Sequence, residues 1–305
     1  MAKITVIGSF VMDNVARMEN FPLAGQTVLG KSLGVYPGGK GANQCVAAAR
    51  LGGDVEMIGM LGKDGNGDTF RKIFKNEGIC IDRVFETDIP TAVAQIQIND
   101  AGENRICVIP SANHEFGFDE LEKIKQTIKN TKLVVLQLEL RLDVTKEIIR
   151  VCHGYGVPVI LNPAPAVKLE KEILGMVDYL TPNETELEIL SGLKTETDEE
   201  VYKAADALID IGVKTIIATL GKRGALIATK EDKKIVSGYK VKAIDTVAAG
   251  DSFNGALAKC LSDGKSIEEA VKFSNAVGAL TVTKNGAIPS LPYLKDVEEF
   301  MASRK

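Results

Sequence analysis

Apolar and polar positions along this chain follow two periods in alternation. Short apolar runs at Lys3–Ser9, Val55–Leu61, Leu133–Leu138, Val157–Asn162 and Thr215–Thr219 have the length and composition of strands buried on both faces. Between them the spacing changes to that of helices. Gly41–Leu51 carries Ala42, Val46, Ala47 and Ala49 on one closely packed face, and Val144–Tyr155 and Val201–Ile211 repeat apolar residues at helical intervals. Tyr179–Leu180 reads as a short strand leading into a helix after Pro182, and Ala225–Ala228 as a further strand. Such alternation predicts a mainly parallel sheet with helices on both faces. Two stretches interrupt it. Phe21–Tyr36 mixes Pro and Gly with alternating residues and reads as a hairpin excursion. Ala92–Ile98 and Arg105–Ile109 read as strands returning antiparallel across a turn at Asn99–Asn104. The two excursions, about 11–36 and 90–110, predict a small sheet apart from the core, within a single domain spanning 1–305.

Composition narrows the class. With 305 residues, 45% of them hydrophobic, the chain can bury a full core. A net charge of −4 with both signs mixed along the sequence argues against nucleic acid as a partner, which needs a clustered basic face. Cys45, Cys80, Cys107, Cys152 and Cys260 are scattered with no C-x-x-C, so reduced thiols are expected. The start, MAKITVIGSFVMD, lacks the features of a signal peptide, and no apolar run is long enough to span a bilayer. A cytoplasmic protein with no membrane partner is expected.

The candidate chemistry centres on Ala243–Ala256. The small-residue loop Val247-Ala248-Ala249-Gly250 precedes Asp251, and Phe253, Ala256, Leu257, Cys260 and Leu261 then recur on one helical face. The loop therefore opens a helix whose free N–H groups form an anion site, with Asp251 in the first turn beside it. A carboxylate there can take a hydroxyl proton while the N–H groups steady a phosphoryl group under attack. It can equally do no more than complement the helix dipole.

Other motifs have similar double readings. Pro37-Gly-Gly-Lys-Gly-Ala-Asn43 is a tight turn entering a helix, with glycines that permit close approach of a ligand and an Asn that can donate and accept. Asn183-Glu-Thr-Glu186 after Pro182 is a capping arrangement. Thr219-Leu-Gly-Lys-Arg-Gly224 ends a strand and turns on two glycines, as an ordinary hairpin also would. Gly25–Ser32 matches the phosphate-loop pattern G-x-x-x-x-G-K-[ST] letter for letter. It has no preceding strand and no helix after it, so it is assigned to the small sheet instead.

DTVAAGD at 245–251 resembles the signature D-T-x-[GA]-A-G-D of the ribokinase-like carbohydrate kinases. With PGGKGAN and PNETE in the same order, the resemblance covers nearly the whole chain. It implies an ATP-dependent transfer of phosphate to the primary hydroxyl of a pentose, with Asp251 as base and the Ala248, Ala249 and Gly250 backbone as anion hole. The sugar-contacting positions would be Val11, Asp13, Gly39, Lys40, Asn43, Glu139 and Asp251. ATP would meet Asn183, Thr219, Gly221, Gly224, Gly250 and Asn275, the last on a helix capped by Ser266 and Glu269. Glu186 would act on Mg²⁺ through water. Asp245, Val247, Thr281, Lys284, Gly286 and Ser290 would surround a monovalent cation, K⁺, that holds the anion-hole loop in shape. The small sheet would be a lid over the sugar and the interface of a homodimer.

Val11 departs from the family's pattern, which commonly has Asn two residues before the sugar-binding Asp. A buried hydroxyl left unpaired costs about 1–3 kcal/mol. D-ribose, phosphorylated on O5 to D-ribose 5-phosphate, and 2-deoxy-D-ribose are therefore both candidate substrates. A nucleoside kinase and a non-catalytic regulator on the same fold are the remaining alternatives. PGGKGAN and LNPAPA favour a free sugar, and an intact Asp251 favours catalysis.

Overall fold

The computed structural model describes residues 3–304. Its strands and helices follow the order β1 (Ile4–Ile7), β2 (Val11–Arg17), β3 (Ser32–Gly38), α1 (Lys40–Arg50), β4 (Val55–Gly62), α2 (Gly65–Asn76), β5 (Cys80–Thr87), β6 (Val93–Ile98) and β7 (Asn104–Ile109). Next come α3 (Phe118–Asn130), β8 (Leu133–Leu136), α4 (Leu142–Tyr155), β9 (Val159–Leu161), α5 (Lys171–Leu174), β10 (Tyr179–Leu180), α6 (Glu184–Ser191) and α7 (Asp198–Asp210). The chain closes with β11 (Thr215–Thr219), β12 (Gly224–Ala228), β13 (Lys233–Ser237), α8 (Ala249–Ser262), α9 (Ile267–Thr281) and α10 (Leu294–Ala302).

Nine strands form one sheet in the order β13-β12-β11-β10-β9-β8-β1-β4-β5. Every pair from β11 through to β5 is parallel, and only β12 and β13 run antiparallel at one edge. The short apolar runs are these central strands, and their alternate residues feed two separate cores. Ile7, Val134 and Leu136 face α3, α4 and α7, while Ile4, Val6, Leu133 and Val135 face α1, α2, α8 and α9. All seven side chains are buried, each worth about 1.5–3 kcal/mol when fully removed from water. This double burial explains why the runs are continuously apolar rather than alternating.

A second sheet, β3-β2-β6-β7, stands apart and is built from the two excursions. The hairpin expected within Phe21–Tyr36 is wider and begins earlier. Its arms are β2 and β3, paired antiparallel, and the chain between them is a loop. Pro22, Gly25 and Gly30 interrupt that loop, and the Gln26 side chain closes a turn on the Leu23 N–H at 3.0 Å. The Gly25–Ser32 phosphate-loop lookalike, assigned to the small sheet, instead lies in that loop and reaches the sheet only at Ser32, with no helix to supply an anion site. The pairing of β6 with β7 is antiparallel across Asn99–Asn104, as the pattern predicts. All five cysteines are free thiols, and no helix among the described residues is long and apolar enough to cross a membrane.

Candidate active site

The parallel strands point their carboxyl ends to one edge of the large sheet. From β1 the chain proceeds to β4 on one side, whereas β8 lies on the other, so β1 and β8 flank the point where the winding reverses. Ligands of open α/β sheets bind at this crevice. Here Ser9 and then Asp13 follow β1, and Gln137 and Glu139 follow β8. The first turn of α1 brings Lys40, Asn43 and Gln44 to the same place. It approaches so closely that Gly39, at φ +90°, could carry no side chain: a Cβ there would lie 2.6 Å from the Val11 nitrogen.

Asp251 sits in the first turn of α8, buried at 7% exposure. The helix begins from Ala248, a non-glycine residue in the left-handed region at φ 59°, a conformation retained where the surroundings impose it. Its first turn leaves the Gly250 and Asp251 N–H groups without intrahelical acceptors. The Ala249 N–H already reaches the Thr246 carbonyl at 3.3 Å, so the anion hole narrows to the following residues of the turn. The Asp251 carboxylate accepts from Asn43 Nδ2 at 2.9 Å on Oδ2 and from Gln44 Nε2 at 3.0 Å on Oδ1. Asn43 therefore gives one of its two amide hydrogens to Asp251. Its buried Oδ1 has no partner among the described residues and is free to accept from a hydroxyl.

Around this pair lies a strongly acidic pocket. Glu139 accepts from the Ser9 hydroxyl and from the Lys40 N–H at 2.9 Å. Burial raises its carboxyl above the usual range, against the opposing pull of the Lys40 ammonium and of those two donors. Asp13 is pushed up to about 7 by burial first, then by the charges of Glu139 and Asp251. Burial works against the Lys40 charge, yet Asp251, Glu139 and Glu186 outweigh it and raise the ammonium above the usual lysine range. Val11, buried at 4%, packs instead against Ala92, just before β6, and Ala94 within it, an apolar wall beside the acidic groups.

On the other side of the α8 N-terminus opens a cavity of about 780 Å³. Asn183, Thr219, Gly221, Gly224, Gly250 and Asn275, the six positions expected to meet a nucleotide, all line it. Asn183 and Glu186 form the capping box that the spacing suggests, with Glu186 Oε2 accepting the Asn183 N–H at 2.9 Å. Burial raises the Glu186 carboxyl, and it feels both Lys40 and Asp251, so it faces the site as well as capping its helix. The Thr219–Gly224 segment is a hairpin turn between β11 and β12 and also a cavity wall, so both readings hold. Asn275 has its amide nitrogen on the Val236 carbonyl at 3.0 Å, which fixes β13 against α9.

The expected cation loops are joined by Asp245. Its carboxylate accepts the Val247 N–H at 3.0 Å and the Gly286 N–H at 2.9 Å. Val247 is half exposed, so its backbone carbonyl is the group it has to offer. The Thr281 hydroxyl lies 2.9 Å from both the Val277 carbonyl and the Ser252 hydroxyl, inside the α8–α9 seam, and the Ser290 hydroxyl donates to the Ala287 carbonyl at 2.8 Å. Lys284 follows α9 at the start of this loop, its N–H on the Thr281 carbonyl at 3.2 Å.

Ser9, Gln44 and Gln137 belong to the site and are not singled out by the sequence, and Asn162 enters there only as part of LNPAPA. Gln44 is next to Asn43 in the glycine turn, and Gln137 stands two positions before Glu139, so proximity to known motifs was the available signal.

Comparison with known proteins gives the same family from three directions. The model of the pfkB family of carbohydrate kinases matches residues 1–294. The chain is 38% identical over 299 residues to the ribokinase of Haemophilus influenzae, covering 98% of each. It is 34% identical over 303 residues to a deoxyribokinase of Salmonella typhi, again covering 98% of each. Among solved structures, the ribokinase of Arabidopsis thaliana complexed with ribose and ATP superposes with a TM-score of 0.91 at 31% identity, covering 98% of each chain. The chain belongs to the pfkB family of carbohydrate kinases.

Proposed function

We propose that the protein transfers the γ-phosphoryl group of ATP to O5 of D-ribose, giving ADP and D-ribose 5-phosphate. One observation carries the reading: the first turn of α8 stands between two compartments of opposite character. Gly250 lines the 780 Å³ cavity, of nucleotide size, while the Asp251 carboxylate is held at Asn43 beside the acidic pocket. A sugar hydroxyl next to Asp251 and a γ-phosphate at the Gly250 and Asp251 N–H groups would then meet in line. Asp251 takes the hydroxyl proton as the oxygen attacks phosphorus and the bond to the ADP oxygen breaks. The N–H groups stabilise charge on the transferred group. The ribose and ATP bound by the Arabidopsis relative support this pairing of ligands.

Asp13, Glu139 and the Asn43 Oδ1 supply acceptors for several hydroxyls, which suits a polyol. Lys40 balances the carboxylates without removing their hydrogen-bonding capacity. Mg²⁺ fits the site as an ion carried with the nucleotide. No cluster of three or more His, Cys, Asp or Glu able to hold a metal is present among the described residues, and Glu186 is one carboxylate near the phosphate path. Mg²⁺ is commonly held by one or two carboxylates, water and substrate phosphates. When bound, it neutralises charge on the phosphate oxygens. A monovalent cation, K⁺ by its preference for carbonyl oxygens, would sit between the loops that Asp245 joins, among Val247, Thr281, Lys284, Gly286 and Ser290. The small sheet would close as a lid, keeping water from competing as acceptor. A cytoplasmic site of action accords with its free thiols and its use of ATP.

A second reading is favoured by Val11. Its side chain offers no hydrogen bond and packs on Ala92 and Ala94, so a sugar lacking one hydroxyl would lose nothing there. The similarity to a deoxyribokinase points the same way.

The base role is tested by Asp251→Asn, which keeps the shape and removes the proton acceptor. Its kcat should fall by roughly 10²–10⁴-fold with sugar and ATP binding retained. Near-normal turnover would remove Asp251 from that role.

A further inference from the structure

We propose that Gln44 is the positioning residue for Asp251, holding its carboxylate through an amide chain that runs from Gln137 to Gln44 to Asp251. The inference rests on the reading of Asp251 as the base. Gln44 is completely buried and touches no open compartment, so it can act on the reaction only through its neighbours. Its Nε2 lies 3.0 Å from Asp251 Oδ1 and 3.1 Å from Asn162 Oδ1. Asn162 cannot be turned the other way, because its Nδ2 donates to the Thr181 carbonyl at 3.2 Å. With an acceptor-only carboxylate and a fixed amide oxygen on one side, the Gln44 nitrogen must face Asp251. Its Oε1 then faces Gln137 Nε2, at 2.8 Å.

Two glycines make the chain possible. A Cβ on Gly8 would lie 2.1 Å from Gln137 Oε1, so only glycine leaves room for that side chain to reach Gln44. Gly255 stands one turn after Asp251 on α8, and a Cβ there would lie 2.6 Å from both the Gln44 carbonyl and the Ala47 Cβ. The α1 and α8 backbones therefore approach closely enough for a glutamine to span the gap. The cost is visible: Gln137 Oε1 is buried with no partner among the described residues, an arrangement that stability alone would not favour.

Asn43 and Gln44 each donate to one oxygen of the carboxylate, which fixes its plane and leaves further lone pairs free to accept. Asn43 also borders that pocket, so its loss would mix substrate binding with positioning. Gln44 separates the two. The charges that act with Asp251 are those of Lys40 on α1, Asp13 on β2, Glu139 after β8 and Glu186 on α6. A carboxylate at position 44 would add a like charge from a direction that now offers only a donor.

The test compares Gln44→Leu, Gln44→Glu and Asp251→Asn in single-turnover phosphoryl transfer from ATP to D-ribose with Mg²⁺. Sugar and nucleotide binding by calorimetry and thermal melting are measured alongside. Gln44→Leu should lower the transfer rate about 10- to 100-fold with both dissociation constants within about threefold of wild type. In Gln44→Glu the amide donor to Asp251 is replaced by a carboxylate, so the transfer rate above neutral pH should fall at least as far as in Gln44→Leu, again without loss of binding. A Gln44→Leu rate within about twofold of wild type, beside an inactive Asp251→Asn, would overturn the positioning role and leave the base reading intact. A Gln44→Glu rate near that of wild type above neutral pH, a loss equally present in binding, or failure of both Gln44 variants to fold would also overturn it. An active Asp251→Asn would remove the base reading itself.

Discussion

Asp13 is where burial and like charge combine most strongly, raising its carboxyl to about 7 through desolvation, Glu139 and Asp251. The sign of the consequence follows from proton counting. Between its usual value of 3.8 and about 7, the folded free protein keeps a proton that the unfolded chain has lost. Stability from this group is therefore present below the lower value and declines as pH rises through the window. Sugar binding has the opposite preference, since two hydroxyls donate best to an ionised carboxylate. D-ribose should bind more tightly as pH rises toward 7 and level off above it, with proton release on binding below 7. Calorimetry in buffers of different ionisation enthalpy measures that release. Asp13→Asn should abolish it, and a wild-type affinity independent of pH would contradict the account.

At the level of elements, the α8 N-terminus depends on loops that are not part of any helix. Asp245 accepts one N–H from the loop before α8 and one from the loop after α9, so a single carboxylate ties both together. Asp245→Ala should lower kcat about tenfold and remove any rise of activity with K⁺. Retained activation by K⁺ would place the cation elsewhere. The helices and strands that carry the candidate site were legible because burial on both faces, or on one helical face, leaves an unmistakable period. DTVAAGD and PGGKGAN were legible because they occur in the order of a family's signatures, whereas their spacing alone also fitted a plain helix start or turn. Other elements were harder to see. β5 is an edge strand with Asp82, Arg83, Glu86 and Thr87 breaking its apolar run, and α2 opens Gly-Asn-Gly, with Asp64 capping it onto the Gly67 N–H at 2.8 Å. α3 carries Leu121, Ile124 and Ile128 at helical spacing, a signal the motifs overshadowed. Gln44, Gln137 and Asn162 act through side-chain contacts between residues about 90 or more positions apart, which no local period encodes.

For the whole molecule, the small sheet leaves an apolar face uncovered. Register places Val15, Ile96 and Ile106 abreast, and Asp13, Ala94 and Val108 beside them, so the face that begins at the acidic pocket continues outward as aliphatic side chains. Ile106 is 58% exposed and Val108 50%. We propose that a second copy of this sheet covers them, as the family resemblance leads one to expect. Ile106→Glu with Val108→Glu should yield a monomer by sedimentation, with weaker sugar binding. An unchanged sedimentation coefficient would assign the face another role.

The most direct test is turnover of the intact protein with ATP and Mg²⁺, on D-ribose and on 2-deoxy-D-ribose, with the phosphorylated carbon located by NMR. The account predicts ADP release matched by D-ribose 5-phosphate, with a larger kcat/KM on D-ribose. A larger value on 2-deoxy-D-ribose would transfer specificity to the apolar wall at Val11. Phosphate on any carbon other than C5, or no transfer to either sugar, would contradict the assignment of Asp251 and its flanking compartments.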